Sequence, residues 1–379
     1  MNSELIIDYF KQITKNFNYI LIIQIIPLLL VSSILMKEMN INLFHKQMAY
    51  YGASVIVFLI AAYMPWKYLL WLFAPFAYIV NILLLIGVEV AGKTILGAKR
   101  WLLLPGGISL QPSEFMKLSI LLFLAFIISK KPPDRDKGYG LIEFIILSIV
   151  ILAPSYLILR EPDLGTTLLL LLASFGVLFI VGINWKILTI LSIALAIVAP
   201  LGYKYALKPY QKKRIEDFLG KPSYQVQQAL IAIGSGGITG KDKEEATQTQ
   251  LKFLPVSTTD FIFAYLGERF GFKGMVIVVA LYIMLIIHLL IISKIYGNDY
   301  QIVVLSSGLA LLFFVYMGVN IYMVIGLAPV VGAPLPMFSH GGTSFIIFSF
   351  LFGILENLIS FKGYKPYNSD TKIEMIHPH

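Results

Sequence analysis

Runs of about 20 consecutive, mostly apolar residues recur along this chain, the length that lets a helix cross roughly 30 Å of hydrocarbon. The first is "YILIIQIIPLLLVSSIL", residues 19–35. Lipid offers no hydrogen bonds to bare peptide groups, so a chain built from such runs is held to helices that satisfy their own backbone. Composition agrees. Of the 379 residues 58% are hydrophobic and only 13% charged, far less charge than a water-soluble chain of this length carries. No cysteine occurs, which removes disulfides, thiolate metal sites and a thiol nucleophile.

The pattern predicts spans at 19–36, 48–64, 67–89, 113–129, 141–159, 166–183, 187–202, 274–293, 301–326 and 342–360. The first run is too long for the core of a signal peptide and lacks a small-residue cleavage site, so it reads as a retained helix. The expected fold is an all-α integral membrane protein of about ten transmembrane helices, one polytopic domain over 1–379. A large extracytoplasmic loop, 203–273, lies between the seventh and eighth helices.

Lys and Arg near helix ends resist translocation. With an even number of helices, Lys11, Lys15, the run "KKPPDRDKG" at 130–138, Lys186, Lys294, Lys362 and Lys365 all fall on one side. That side is expected to be the cytoplasm, with both termini inside. Two connections are then external, 90–112 and 203–273. Long loops translocate whatever their charge, so the basic residues of the second do not upset the assignment.

The 203–273 segment mixes aromatic, aliphatic and polar residues, and "YQVQQALIAIGSGG" predicts an amphipathic helix at 223–233. "KPYQKKRIEDFLGK" gathers Lys208, Lys212, Lys213 and Arg214. Such a cluster either anchors a loop to anionic headgroups or binds a phosphorylated substrate. The other external connection reads "GAKRWLLLPGGISLQPSEFMKL" and places Lys99, Arg100 and Trp101 together. Pro112 then suits a helix's first turn, Glu114 falls where the helix dipole favours an acid, and Lys117 follows on the same face. An ionisable pair entering a membrane helix is a boundary ion pair or faces a cavity for an anionic group.

In "REPDLGTTLLLL", Asp163 and Gly165 have either ordinary turn roles or a place in a site. Between residues 326 and 342, Pro329, Pro334 and Pro336 interleave with glycines, and irregular backbone at membrane depth survives only against protein or a water-filled cavity. His340 there reads as a turn histidine at the surface, and His288 as a packing residue. No zinc spacing and no nucleotide-binding glycine motif occurs. Asp260 stands in "FLPVSTTDFIFAYLGERFGF" between a polar turn and an apolar run. It either caps a helix or does chemistry at the membrane edge.

Taken together, "GAKRW", "QPSEFMKL", "EPDLGTTL", "YQKKRIEDFL", "YQVQQALIAIGSGGITGK", "TDFIFAYLGE" and "GAPLPMFSHGGTS" resemble, in their order, the SEDS family (shape, elongation, division and sporulation), closest to its elongation branch. The resemblance covers nearly the whole chain. It implies a ten-helix glycosyltransferase of the bacterial cytoplasmic membrane that polymerises lipid II into peptidoglycan strands on the outer face, beside a class B penicillin-binding protein and with no nucleic-acid partner. Carried over motif by motif, Asp260 is the essential acid and general base. Glu114 and Lys117 are the charged pair, Arg100 and Trp101 the loop residues, and Asp163 the acid of the "PDLG" turn.

The chemistry asks for those residue types. A sugar hydroxyl needs a base, and the leaving pyrophosphate needs fixed cations or a divalent metal. Lys117, Arg100 and the Lys212, Lys213 and Arg214 cluster are the expected cations. A Mg or Mn ion on Glu114 or Asp163 is the expected metal. The chain departs from the family's pattern at Thr258, where relatives carry His, at Val256, where they carry an acid, and in "GKDKEEATQTQ", where they carry glycines. A lipid II flippase without chemistry is the alternative reading.

Overall fold

In the computed structural model of the chain, the described residues are 11–95, 98–103, 109–187, 189–190, 193, 212, 220, 222–251 and 253–361. Among them, nine helices are long and apolar enough to cross a membrane. These are α1 (Tyr19–Met39), α2 (Ile41–Tyr63), α3 (Trp66–Ala91), α4 (Pro112–Lys130), α5 (Leu141–Arg160), α6 (Leu164–Val181), α9 (Ile262–Ile295), α10 (Tyr300–Val324) and α11 (Gly342–Phe361). The short helices α7 (Tyr224–Gly236) and α8 (Thr247–Gln250) lie between α6 and α9. The expected span at 187–202 falls largely outside the described residues.

The bundle is apolar on its outer surface as well as in its core. Ile23, Val55, Leu83 and Phe179 are all more than half exposed, as side chains facing lipid should be. The centre is formed by α4, α10 and α11, most of whose residues are buried. Without a hydrophobic drive between helices in lipid, close approach depends on small residues. Gly308 of α10 lies so near α4 that an added Cβ would sit 2.5 Å from Leu121, and Gly353 of α11 is equally tight against Ala61 of α2.

Helix boundaries follow their local chemistry. Asn40 breaks the chain between α1 and α2 and caps the latter, accepting from the amides of Asn42 (2.9 Å) and Leu43 (3.3 Å). Between α3 and α4 a three-stranded antiparallel hairpin forms, β1 (Lys93–Ile95), β2 (Ala98–Leu103) and β3 (Ser109–Leu110). The amphipathic helix expected at 223–233 is α7.

One boundary differs. Non-helical Gly271 divides α9 into a short helix that starts at Ile262 and a longer one after it; the span expected from 274 is the second, and the short helix before it was expected as loop. The reason lies in "GERFGFKG", whose charges and glycines interrupt the apolar run and whose Gly271 breaks the helix. The break is confined to Gly271, at φ 62°, where a loop is stitched into the kink. Phe272 and Lys273 donate to the carbonyls of Gly237 (2.9 Å) and Ile238 (3.1 Å). Glu268 and Arg269, next to the kink, hold neighbouring elements. Glu268 accepts from the amides of Gln248 (2.9 Å) and Thr249 (3.2 Å), and Arg269 forms a forked pair with Glu38 (2.7 and 2.8 Å).

Candidate active site

Antiparallel spans bring the hairpin, the turn 161–163, Asp260 and the irregular segment 325–341 to one end of the bundle. Pro112 sets the first turn of α4, and Glu114 in that turn pairs with Lys117 at 2.8 Å. The Lys117 side chain is only 3% exposed, and its ammonium lies 4.7 Å from the ring centroid of Tyr316 on α10. A buried ammonium is tolerable here because a carboxylate and an aromatic face replace its water.

Arg100 reaches from β2 to the turn between α5 and α6. Its guanidinium lies 3.5 Å from the Asp163 carboxylate and donates to the carbonyls of Pro162 (2.5 Å) and Glu161 (3.3 Å). Asp163 also accepts from the Thr166 amide at 3.2 Å, capping α6, and from Gln111 at 3.5 Å. Gln111 immediately precedes α4, so the hairpin, the turn and the Glu114–Lys117 pair form one connected cluster. Trp101, next to Arg100 on the strand, leaves on the opposite face.

Asp260 is not a helix cap. Phe261 occupies the cap position of α9, and no side chain caps that terminus. Instead the Asp260 carbonyl accepts from Asn320 of α10 at 2.7 Å, and the same amide donates to Ala333 at 2.6 Å. Gly332 stands against the carboxylate, where an added Cβ would lie 3.5 Å from Oδ2. Burial raises the Asp260 carboxyl above the ordinary aspartate range, with a hydrogen bond from Thr259 opposing.

The strap 325–341 is fastened beside it, Ser339 donating to the Thr259 carbonyl (2.7 Å) and the His340 amide to that of Thr258 (2.9 Å). His340 is thus half-buried in this network rather than a surface turn residue. Its ring nitrogen lies 3.3 Å from the Gln47 side-chain oxygen.

Two relationships join the halves. Tyr316, over Lys117, and Asn320, on the Asp260 carbonyl, are four residues apart and share one face of α10, one turn from each other. The strap also spans both, because Gly165 of the "PDLG" turn packs on Val331 and the next residue, Gly332, faces Asp260. The arrangement offers a carboxylate of raised proton affinity and a buried cation whose backbone and aromatic contacts lie on neighbouring turns of one helix. That combination can remove a proton from a hydroxyl while negative charge develops alongside.

Lys212 is described and half-buried, whereas Lys213 and Arg214 lie outside the described residues. Glu114 and Asp163, the expected metal ligands, each face a cation. Among the described residues no three carboxylate or imidazole groups gather where they could hold a metal ion. The donor set as it stands suits an anion clamp rather than a resident metal.

Three residues join the site that sequence reasoning passed over. Tyr316 and Asn320 are polar groups inside an apolar run, a signal of a buried partner. Glu161, in the quoted "EPDLG", is 3% exposed with both carboxylate oxygens unpaired among the described residues. Burial, and then repulsion from Asp163, push it up to about 8, with Arg100 opposing.

The family FTSW_RODA_SPOVE, described as "Cell cycle protein", matches residues 10–364. The chain belongs to that family. A relative named peptidoglycan glycosyltransferase MrdB, from Helicobacter pylori, is 48% identical over 362 residues, 95% of this chain and 94% of its own. Among solved structures, a chain from a work on "structural coordination of polymerization and crosslinking by a peptidoglycan synthase complex" aligns with TM-score 0.80. It is 26% identical and covered at 99%, against 92% of this chain. The rod shape determining protein RodA of Thermus thermophilus aligns with TM-score 0.67 at 24% identity, covering 92% of this chain and 98% of that one, and shares the fold. This member of the family is a multi-pass membrane protein.

Proposed function

We propose that this chain is a peptidoglycan glycosyltransferase that polymerises lipid II into glycan strands at the outer face of the bacterial cytoplasmic membrane, supporting cell elongation and shape. Both termini face the cytoplasm, and a class B penicillin-binding protein is its partner. The observation that supports the reading is the register of Tyr316 and Asn320, which ties the Lys117 ammonium and the main chain of Asp260 to neighbouring turns of α10.

In the reaction, Asp260 takes the proton of the attacking sugar hydroxyl. The hydroxyl oxygen forms its bond to the anomeric carbon as the bond from that carbon to the pyrophosphate oxygen breaks. One base and one displacement invert the anomeric centre. The polyprenyl pyrophosphate leaves with the developing charge, which Lys117 and Arg100 stabilise in a water-poor setting. Trp101, Glu114 and Asp163 complete the substrate site, and Lys212, Lys213 and Arg214 supply further cations for the pyrophosphate. A Mg or Mn ion would enter with the pyrophosphate, a ligand that such ions favour, and not through Glu114 or Asp163 alone.

Purified protein given labelled lipid II, with and without a class B penicillin-binding protein, tests the reading. Long strands from wild type and none from a folded Asp260→Asn variant are expected. Lipid II binding and transbilayer movement without any polymer would favour the flippase instead.

A further inference from the structure

Two apolar clefts flank the closely packed pair α2 and α11. One, about 410 Å³, lies between α2, α3, α4 and α11 and begins at Leu110 and Phe115, beside Gln111 and Glu114. The other, about 360 Å³, lies between α1, α2 and α11. α11 lines the second with Phe345, Ser349, Phe352 and Glu356, a spacing that keeps to one helical face, while Ile346, Ile347 and Phe350 line the first. The clefts are therefore separate.

The second cleft starts at the reactive end. Met337, buried, lines that end, in the strap whose Gly332 faces Asp260 and whose Ser339 and His340 bond Thr259 and Thr258. Tyr51 stands beside it and joins the strap through Gln47, which bonds Tyr51 at 2.5 Å and faces His340 at 3.3 Å. From there the walls run along α1 from Leu29 back to Leu21, roughly 12 Å at 1.5 Å per residue, and on to Phe17 just before the helix. Val55 and Leu59 on the rim are exposed, so the cleft opens sideways to lipid.

A polymerase that joins two lipid-linked sugars must hold two polyprenyl chains at once. Each of the two clefts begins at a different part of the site, one beside Gln111 and Glu114 and one at the strap that also carries Gly332 against Asp260. Resting on the proposed activity, we infer that the cleft of α1, α2 and α11 holds the polyprenyl chain of the acceptor, the lipid-linked sugar whose hydroxyl Asp260 activates. The cleft beside α3 and α4 is left to the donor.

The test uses the full chain in lipid nanodiscs, with strand formation by wild type established first. Lipid II carrying a photoreactive diazirine in its polyprenyl chain should crosslink to Ile25, Phe58 and Phe352 as well as to Phe73 and Leu84. Excess unlabelled lipid II should suppress all of these, and phosphatidylglycerol none. Labelling confined to Phe73 and Leu84, or equal suppression by phosphatidylglycerol, overturns the inference, the latter marking a general bilayer cleft. A Ser349→Phe variant should raise the KM for the full polyprenyl chain, relative to a short-tailed analogue, about tenfold, the loss expected when one or two methylenes lose their place. An unchanged ratio counts against it. Failure of wild type to make strands would instead strike the proposed activity.

Discussion

Gly165 packs so closely on Val331 that any side chain at position 165 would meet the Val331 carbonyl oxygen. The contact passes position from the "PDLG" turn to the strap and, one residue on, to the carboxylate of Asp260. A Gly165→Ala variant should push Val331 and Gly332 outward, and a displacement of about 1 Å can cost roughly a hundredfold in rate. Polymerisation should fall by about that factor while lipid II binding persists. A wild-type rate would separate the strap from the positioning of Asp260.

Asp260→Asn keeps the size of the side chain and its main-chain bond from Asn320 but removes the base. Strand synthesis should drop by at least about a hundredfold, the usual scale for a general base. Isothermal titration with lipid II should show little change, which separates lost chemistry from lost binding.

Burial raises the Asp260 carboxyl, so its protonated, inactive form persists above the ordinary aspartate range. The acid limb of kcat/KM should therefore have its midpoint above the usual value of 3.8, with rate rising as pH rises through it. A midpoint at or below that value would mean that another group governs the limb.

Lys117 is buried against Glu114, and removing one partner strands the other. Glu114→Gln alone should destabilise the protein by about 3–5 kcal/mol, the scale for an unpaired buried charge. The pair Glu114→Gln with Lys117→Met should recover most of the thermal stability but not the polymerase activity. Recovered activity would remove Lys117 from the anion site.

Glu161 binds its proton more tightly folded, at about 8, than unfolded, at 4.5. The folded state therefore holds more protons between those values, and stability falls as pH rises from 4.5 through 8. Glu161→Gln cannot ionise. Its melting temperature should gain on wild type across that window, and parallel melting curves for the two proteins would show that the carboxyl is solvated.

Nine of the expected spans were legible because each is a local property. Apolar run length reports hydrocarbon thickness, and Pro112 marks the first turn of α4; α2, expected from 48, starts at Ile41 because Asn40 caps a polar first turn that hydropathy does not score. The short helix before Gly271 was not legible, since the partners of its charges Glu268 and Arg269, namely Gln248, Thr249 and Glu38, are distant in the chain. His340 misled for the same reason. Its surroundings, Thr258 and Gln47, come from other elements.

By itself the sequence determined the solvent of the chain, the helices and the residue types of the site, because hydropathy period, capping and motif chemistry are written in neighbouring residues. The tertiary structure alone decided that Lys117 and Asp260 share α10 through Tyr316 and Asn320, and that Gly165 and Asp260 share one strap. Those meetings depend on the depth at which helices slide past each other, set by small residues such as Gly308 against Leu121, and no local pattern encodes a register between distant segments.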